Sequence, residues 1–144
     1  MKIFIGADHR GVALKAQLIE HFTELEFVDQ GAFSDNRTDY PRYAQLVCKA
    51  VQKTPESRGI LICGSGVGMS IAANRFCGIY AALCWSVEVA QAAAAHDRAN
   101  ILVLSAEFVS SGDNQAIVAA WLATPFLGGV YENRLVSIEA MQGE

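Results

Sequence analysis

The stretch RGILICGSGVGMS, residues 58–70, joins a continuous apolar run to a glycine-rich turn. The run that ends at Cys63 is typical of a strand buried on both faces of a parallel sheet. Gly64, Gly66 and Gly68 follow at alternate positions, and the segment GMSIAANRF then predicts a short helix. A strand, a tight turn and a helix in this order form the repeating unit of an α/β protein.

The same alternation of short apolar runs and longer amphipathic segments continues along the chain. Strands are predicted in KIFIGAD, EFVDQGAF, GILICG, IYAALCW and NILVLS. Helices are predicted in GVALKAQLIEHF, YPRYAQLVCKAVQK, GMSIAANRF, SVEVAQAAAAH, DNQAIVAAWLAT and GGVYENRLVSIEAMQ. Pro41 fits the first turn of its helix, and Ser86 is a plausible N-cap. The pattern predicts a parallel five-stranded sheet with helices on both faces.

Composition limits the classes of protein to which the chain can belong. With 144 residues, 52% of them hydrophobic and 18% charged, the chain is expected to form one compact domain. That apolar content also favours an oligomer. A net charge of −4 without a basic stripe argues against a nucleic-acid partner. No apolar run approaches the roughly 20 residues that cross a bilayer, and the N-terminus does not resemble a signal peptide, so we expect a cytoplasmic protein.

The cysteines and histidines predict no metal site. No CxxC pair occurs and the histidines are scattered, so no zinc template fits. Cys48, Cys77 and Cys84 lie among apolar residues and are expected to be free thiols in the core. Cys63 has a different setting, because it directly precedes the glycine turn.

The glycine turn matches none of three familiar motifs. A dinucleotide fingerprint would need glycine where Met69 stands, no Gly-Lys-Ser/Thr follows, and a nucleophile elbow would need glycine at Cys63. Backbone amides in such a turn can still bind negative charge, and the positive end of a helix favours a thiolate there. This combination suits removal of a proton next to a carbonyl, with the amides holding the resulting oxyanion. The alternative is a buried cysteine before a structural turn.

Other polar residues are expected at the carboxyl ends of strands, where ligands bind in such sheets. Asp8 and His9 end the first strand, which fits hydroxyl binding and either anion binding or proton transfer; Asp8 could also simply cap the next helix. The loop RTDYP supplies Asp39 and Tyr40, and Asp39 could equally be an N-cap. His96 ends an alanine-rich helix, where a capping role is the simpler interpretation.

Together, the segments GADHRG, DQGAFS, RTDYP, GILICGSGVGMSIAANRF and AHDRAN resemble the ribose-5-phosphate isomerase B family, which includes the galactose-6-phosphate isomerase subunits. The similarity extends over nearly the whole chain. It implies a Rossmann-like, flavodoxin-like α/β fold in a single domain, residues 1–144. It also implies a homodimer with active sites shared across the interface, and whether two dimers form a tetramer stays open. The implied reaction is aldose–ketose isomerisation of a sugar phosphate through a cis-enediol(ate), with neither metal nor cofactor, and ribose 5-phosphate is the first substrate to expect.

The resemblance also implies roles for individual residues. Cys63 would be the base that moves the proton between C1 and C2, and Ser65 would shuttle protons between the neighbouring oxygens. His96, reaching in from the partner subunit, would help to open the sugar ring. The turn glycines would cradle the anionic intermediate: Gly64, Gly66 and Gly68.

The remaining implied roles concern the binding of the sugar phosphate. Asp8 would bind hydroxyl groups and Tyr40 would line the pocket, while His9 and Arg134 would bind the phosphate. Asp97 would face the intermediate, at a position where typical members have asparagine. An ionised carboxylate there repels an enediolate.

Two further departures concern the phosphate. Family members commonly have arginine where this chain has Glu107 and Val130, so two guanidinium groups are missing. Arg10 and Arg98 are candidates to compensate. Two alternatives therefore stay open: an isomerase of a different or unphosphorylated sugar, and a sugar- or nucleotide-binding module without turnover.

Overall fold

The computed structural model describes residues 1–142, in which five strands alternate with six helices. The strands are β1 (Lys2–Ala7), β2 (Glu26–Asp29), β3 (Arg58–Cys63), β4 (Ala81–Leu83) and β5 (Ile101–Ser105). The helices are α1 (Val12–His21), α2 (Tyr40–Lys53), α3 (Val67–Ala73), α4 (Val87–Asp97), α5 (Ser111–Ala123) and α6 (Val130–Glu139). The α/β class predicted from the sequence is confirmed. β2 and β4 are shorter than predicted, because each lies at an edge of the sheet and hydrogen-bonds to a single neighbouring strand.

All four strand pairings are parallel, and the strand order is β2-β1-β3-β5-β4. The chain runs outward from β3 to the edge strand β4 and then returns to β5. Because crossovers between parallel strands are right-handed, each reversal of direction moves the next helix to the other face. Consequently α1, α4 and α5 cover one face, while α2 and α3 cover the other.

The core consists of two apolar clusters separated by the sheet. On β3, Ile60 and Ile62 face the first cluster, whereas Leu61 and Cys63 face the second, which confirms that this strand is buried on both sides. Trp121 of α5 is fully buried in the first cluster, and its Nε1 donates to the carbonyl of Ala99 at 3.0 Å. Both clusters leave the carboxyl ends of β1 and β3 open to solvent-exposed loops.

The sheet has a topological switch point between β1 and β3. The connection after β1 leads towards β2 on one side, and the connection after β3 leads towards β4 on the other. Such a divergence opens a crevice at the carboxyl ends of the two strands. Ala7 pairs with Ile62 in the register, so Asp8 and Cys63 emerge side by side at this crevice.

The expected helix cap at Ser86 and two of the three expected core cysteines are confirmed. Ser86 Oγ accepts a hydrogen bond from Val89 N at 3.2 Å, and Cys48 and Cys84 are fully buried. The prediction that Cys77 lies in the core is wrong, because α3 ends at Ala73 and Cys77 lies exposed in the turn that follows. None of the helices described in residues 1–142 combines the length and the apolar character that a bilayer crossing requires.

Candidate active site

A cavity of about 400 Å³ opens at the carboxyl ends of β1 and β3, where the switch point lies. Seven residues with predicted site roles line it together: Asp8, His9, Tyr40, Cys63, Gly64, Ser65 and Gly68. Further lining residues come from three loops: Arg10, Arg37, Thr38, Asp39, Glu107 and Phe108. The fold therefore gathers residues that are far apart in the sequence around the end of β3.

The Cys63 sulfur lies at the inner wall of this cavity. The residue is 5% exposed, and its Sγ accepts a hydrogen bond from Gly66 N at 3.2 Å. Cys63 is thus buried before the turn, as the alternative interpretation expected, and it also lines the cavity, as a catalytic role requires.

The other buried cysteines have no comparable setting. Burial raises the pKa of Cys48 and of Cys84 to about 12, because a thiolate is costly in an apolar surrounding. Both thiols are therefore protonated at neutral pH. Among the described residues, Cys63 is the one cysteine that lines the cavity.

The turn around the sulfur requires glycine for two separate reasons. Gly66 adopts φ +83°, and a Cβ there would lie 2.5 Å from Leu83 Cδ1. A Cβ on Gly68 would lie 2.5 Å from Tyr40 Cζ, so the Tyr40 ring packs directly on this backbone. Ser65 Oγ accepts from Val67 N at 3.1 Å, which holds the hydroxyl at the mouth of the turn. The next two amides of α3, Gly68 N and Met69 N, have no hydrogen-bond acceptor within residues 1–142 and are the ones placed to bind an oxyanion.

Asp8 and His9 line the cavity at the end of β1, next to the end of β3. Asp8 is 6% exposed, and its Oδ1 accepts from Arg10 N at 3.0 Å. His9 Nδ1 lies 3.1 Å from Thr38 O and 3.2 Å from Thr38 N, which ties the end of β1 to the loop before α2. Asp39 takes the N-cap position of α2 without a side-chain capping hydrogen bond and lines the cavity instead.

The loop after β5 closes one side of the cavity, and it contains Glu107, which was noted from the sequence as a position where family members commonly have a phosphate-binding arginine. Its backbone is fixed to the glycine turn, because Ala106 N donates to Cys63 O and Glu107 N to Gly64 O, each at 3.0 Å. Glu107 Oε1 in turn accepts from Arg10 Nη1 at 2.8 Å. Sequence reasoning missed Phe108 as a lining residue, and its only signal was position, since residues 106–110 follow the fifth strand at the same edge of the sheet.

The other three predicted site residues lie elsewhere in the chain. His96 stacks on Tyr131, with ring centroids 4.4 Å apart and planes 13° apart, and Arg134 lies over the same tyrosine ring at 5.4 Å. Asp97 is the last residue of α4. We call His96, Asp97, Tyr131 and Arg134 the His96 cluster.

The His96 cluster belongs to the amino edge of the sheet, because α4 runs antiparallel to the strands it packs on. Immediately after α4, Arg98 and Ala99 line a second cavity with Lys2 and Arg58, which begin β1 and β3. This second cavity is larger, about 630 Å³, but no thiol or histidine lines it. Five residue steps along β3 separate Arg58 from Cys63, which is roughly 17 Å. A histidine side chain cannot reach across that distance to Cys63 of the same chain.

Within residues 1–142, no group of three or more His, Cys, Asp or Glu side chains is arranged as a metal site. Of the charged residues that line the cavity, Arg10 pairs with Glu107, and Asp8 accepts from the backbone of Arg10. The chemistry that this arrangement supports is proton transfer at sulfur, beside backbone amides and hydroxyl-binding side chains.

Comparison with known proteins gives one consistent result. The sequence profile of the family described as Ribose/Galactose Isomerase matches residues 3–138. The chain is 41% identical over 143 residues to ribose-5-phosphate isomerase B of Escherichia coli strain K12, covering 98% of this chain and 96% of that protein.

Solved structures agree with the sequence comparison. The Clostridium thermocellum ribose-5-phosphate isomerase B has a TM-score of 0.96 at 38% identity, covering 99% of this chain and 97% of that one. The Mycoplasma genitalium ribose-5-phosphate isomerase B with bound ribulose 5-phosphate has a TM-score of 0.94 at 41% identity, with the same coverage of 99% and 97%. These similarities extend over the strands, the glycine turn and the loops that form the cavity.

Proposed function

This chain belongs to the ribose/galactose isomerase family, and from that premise we propose that it interconverts ribose 5-phosphate and ribulose 5-phosphate. The broader activity, aldose–ketose isomerisation of a sugar phosphate, is that of its relatives. The proposal treats residues 1–144 as one isomerase domain that works in the cytoplasm on a small phosphorylated sugar.

The observation that carries the proposal is the position of the Cys63 sulfur. It lines a polar cavity, it accepts a hydrogen bond from Gly66 N at 3.2 Å, and the first amides of α3 follow immediately. A base beside oxyanion-binding amides is what abstraction of a proton next to a carbonyl requires. A module that only binds a sugar has no use for a base at this place.

In the proposed reaction, the Cys63 thiolate removes the proton from C2 of the open-chain aldose. The electron pair of the C–H bond forms the C1–C2 double bond, and the carbonyl oxygen becomes an enediolate oxygen held by amides of the turn. The thiol then returns a proton to C1, while Ser65 moves a proton between the two neighbouring oxygens. Asp8 binds hydroxyl groups of the sugar, and the Tyr40 ring covers the turn.

We also propose that the protein works as a homodimer whose site combines two chains. Within one chain, the carboxyl edge of the sheet holds Cys63, and the amino edge holds the His96 cluster, with roughly 17 Å of β3 between these edges. His96 of a second copy would open the sugar ring, and Arg134 of that copy would join His9 at the phosphate. Exposed apolar side chains next to the cavity, Val67 and Ile71 of α3, support an interface at this face.

The test is a panel of sugars incubated with the protein in deuterated water. Ribose 5-phosphate, tetrose and hexose phosphates and the matching free sugars are compared by the loss of the C2 proton signal in NMR spectra. We expect exchange and product with ribose 5-phosphate, and a large preference for it over free ribose.

Two other results would redirect the proposal. Equal exchange with free ribose would support an isomerase of unphosphorylated sugars. Thermal stabilisation by sugars with no exchange in any of them would identify a binding module and contradict the proposed reaction.

A further inference from the structure

Resting on the proposed function, we infer that Arg10 binds the phosphate group of the substrate, with its guanidinium bridging Glu107 and that phosphate. In this role Arg10 determines the preference of the protein for phosphorylated sugars over free sugars. It follows from the placement, exposure and charge of the Arg10–Glu107 pair at the cavity.

Both partners of the pair are held by backbone contacts next to Cys63. Arg10 N donates to Asp8 Oδ1 at 3.0 Å, which fixes Arg10 at the end of β1. Glu107 N donates to Gly64 O at 3.0 Å, which fixes Glu107 on the turn. The two side chains then meet through Arg10 Nη1 and Glu107 Oε1 at 2.8 Å. The guanidinium is therefore positioned by the same segments that position the base.

The pair lies directly on the glycine turn. A Cβ added to Gly64 would be 2.9 Å from Arg10 Cδ, 3.0 Å from Arg10 Nη1 and 3.0 Å from Glu107 Oε1. The absence of a side chain at Gly64 thus makes room for the ion pair beside the sulfur. Both residues line the cavity, so a ligand that contacts Cys63 has this pair as its neighbour.

The pair leaves most of the guanidinium available for an anion. Arg10 has five N–H donors, and within residues 1–142 its guanidinium donates to one side-chain acceptor, Glu107. The Arg10 side chain remains 56% exposed. A phosphate can therefore take the remaining donors without breaking the contact to Glu107. Because the Glu107 carboxylate offsets the positive charge of the guanidinium, the phosphate is held mainly by direct hydrogen bonds from Arg10 and less by long-range charge attraction.

Arg98, the other arginine considered from the sequence, does not fit this role within its own chain. It forms an ion pair with Glu132, lies over the Phe126 ring at 4.4 Å and belongs to the amino edge of the sheet. Arg10, in contrast, lies in the cavity beside His9, the histidine predicted to bind phosphate.

The test compares Arg10→Ala with a control, Lys53→Ala, which removes one positive charge from an exposed position at the end of α2, outside the cavity. We expect Arg10→Ala to raise KM for ribose 5-phosphate about tenfold or more, since charge-assisted hydrogen bonds to the phosphate are lost. The kcat should change by less than about threefold, because the base and the turn are untouched. Inhibition by inorganic phosphate should weaken in parallel, and Lys53→Ala should change neither quantity.

A double variant separates charge from structure. Arg10→Ala leaves Glu107 as an unpaired carboxylate facing the phosphate, so Arg10→Ala/Glu107→Gln should recover part of the lost affinity, about threefold. Loss of a merely structural contact would not be repaired by changing the second partner. A double variant as weak as Arg10→Ala, or weaker, would overturn the bridging role.

Failure of this inference differs from failure of the proposed function. If the native protein isomerises ribose 5-phosphate and Arg10→Ala leaves its KM and the phosphate inhibition unchanged, the inference is wrong and the function stands. If the native protein isomerises no sugar phosphate, the proposed function is wrong. In that case ³¹P NMR titration of the native protein and Arg10→Ala with inorganic phosphate still decides the role of Arg10, because equal affinities would contradict it.

Discussion

The two ends of the sheet hold residues predicted for one site, but they are organised differently. At the carboxyl edge, Cys63 and the glycine turn are fixed by short backbone hydrogen bonds from neighbouring loops. At the amino edge, His96 at the end of α4 stacks on Tyr131 in the first turn of α6, and Arg134 lies over the same ring. The first region forms a cavity lined by the Cys63 thiol, whereas the second presents a histidine and an arginine with no cysteine in the His96 cluster.

This difference is the reason for proposing that one chain holds two half-sites rather than one whole site. Because helices between parallel strands run antiparallel to them, the end of α4 and the end of β3 fall on opposite edges of the sheet. A second copy that places its His96 cluster over the cavity would complete the site. In a two-fold symmetric dimer each chain does this for the other, so the dimer has two complete sites. Single substitutions in these two regions, and the mixing of two variants, are expected to change activity or stability by different amounts.

Replacement of the proposed base is the most severe change. We expect Cys63→Ala to lower kcat for ribose 5-phosphate by at least about a thousandfold and to abolish C2 proton exchange, since no other group takes over the proton transfer. Circular dichroism and thermal unfolding should show an intact fold. The control is Cys77→Ala, which removes an exposed thiol and should leave activity unchanged. Exchange that persists in Cys63→Ala would contradict the mechanism.

Mixing two inactive variants tests whether the half-sites come from different chains. We expect His96→Ala alone to lower kcat by roughly a hundredfold, because ring opening loses its acid–base group. After subunit exchange between His96→Ala and Cys63→Ala, activity should return to about a quarter of the native value, since half of the dimers are mixed and each has one intact site. Separate, unmixed samples are the control. No recovery despite mixed dimers seen by native mass spectrometry would show that the site does not combine two chains.

Two glycines test how strictly the turn is built. Gly66 and Gly78 both have positive φ, +83° and +75°, but only at Gly66 would a Cβ clash, 2.5 Å from Leu83 Cδ1. We expect Gly66→Ala to lower the free energy of unfolding by about 2–4 kcal/mol, from strain and overpacking together. Gly78→Ala, with open space around it, should cost about 1 kcal/mol, measured by urea denaturation. Equal losses would show that the turn tolerates a side chain.

The smallest effect is expected at Asp97, in the His96 cluster. Its carboxylate would face the enediolate in a combined site, so Asp97→Asn should raise kcat for ribose 5-phosphate by about threefold to tenfold. Asp35→Asn, in an exposed loop, removes the same charge as a control. Unchanged or slower turnover in Asp97→Asn would mean that this carboxylate does not face the intermediate.

Several features of the site were predictable because they depend on local patterns. The apolar run before Cys63 predicts a strand that is buried on both faces. The end of this strand predicts where the sulfur emerges, and in the structure Cys63 ends β3 and lines the cavity. Asp8 and His9 were found by the same rule at β1. Cys77 was misplaced because its apolar neighbours resemble core sequence, whereas the end of α3 at Ala73 leaves it in an exposed turn.

The pairing of Arg10 with Glu107 could not be predicted, because 97 positions separate the two residues and no motif contains both. Only the placement of β5 beside β3 brings the loop of Glu107 against the turn that follows Cys63. The position of β4 at the edge was equally hidden, since alternating strands and helices are compatible with several strand orders.

The order of residues along the chain alone determined the parallel α/β fold, the strand ends at which polar side chains emerge and the glycine turn that surrounds the sulfur. These features follow from periodicity and local backbone conformation. The tertiary structure alone decided which loops meet at the cavity, that Glu107 holds Arg10 on the turn, and that the His96 cluster lies at the opposite edge of the sheet. Those relations depend on strand order and on the hand of each crossover, which connect residues that no local pattern links.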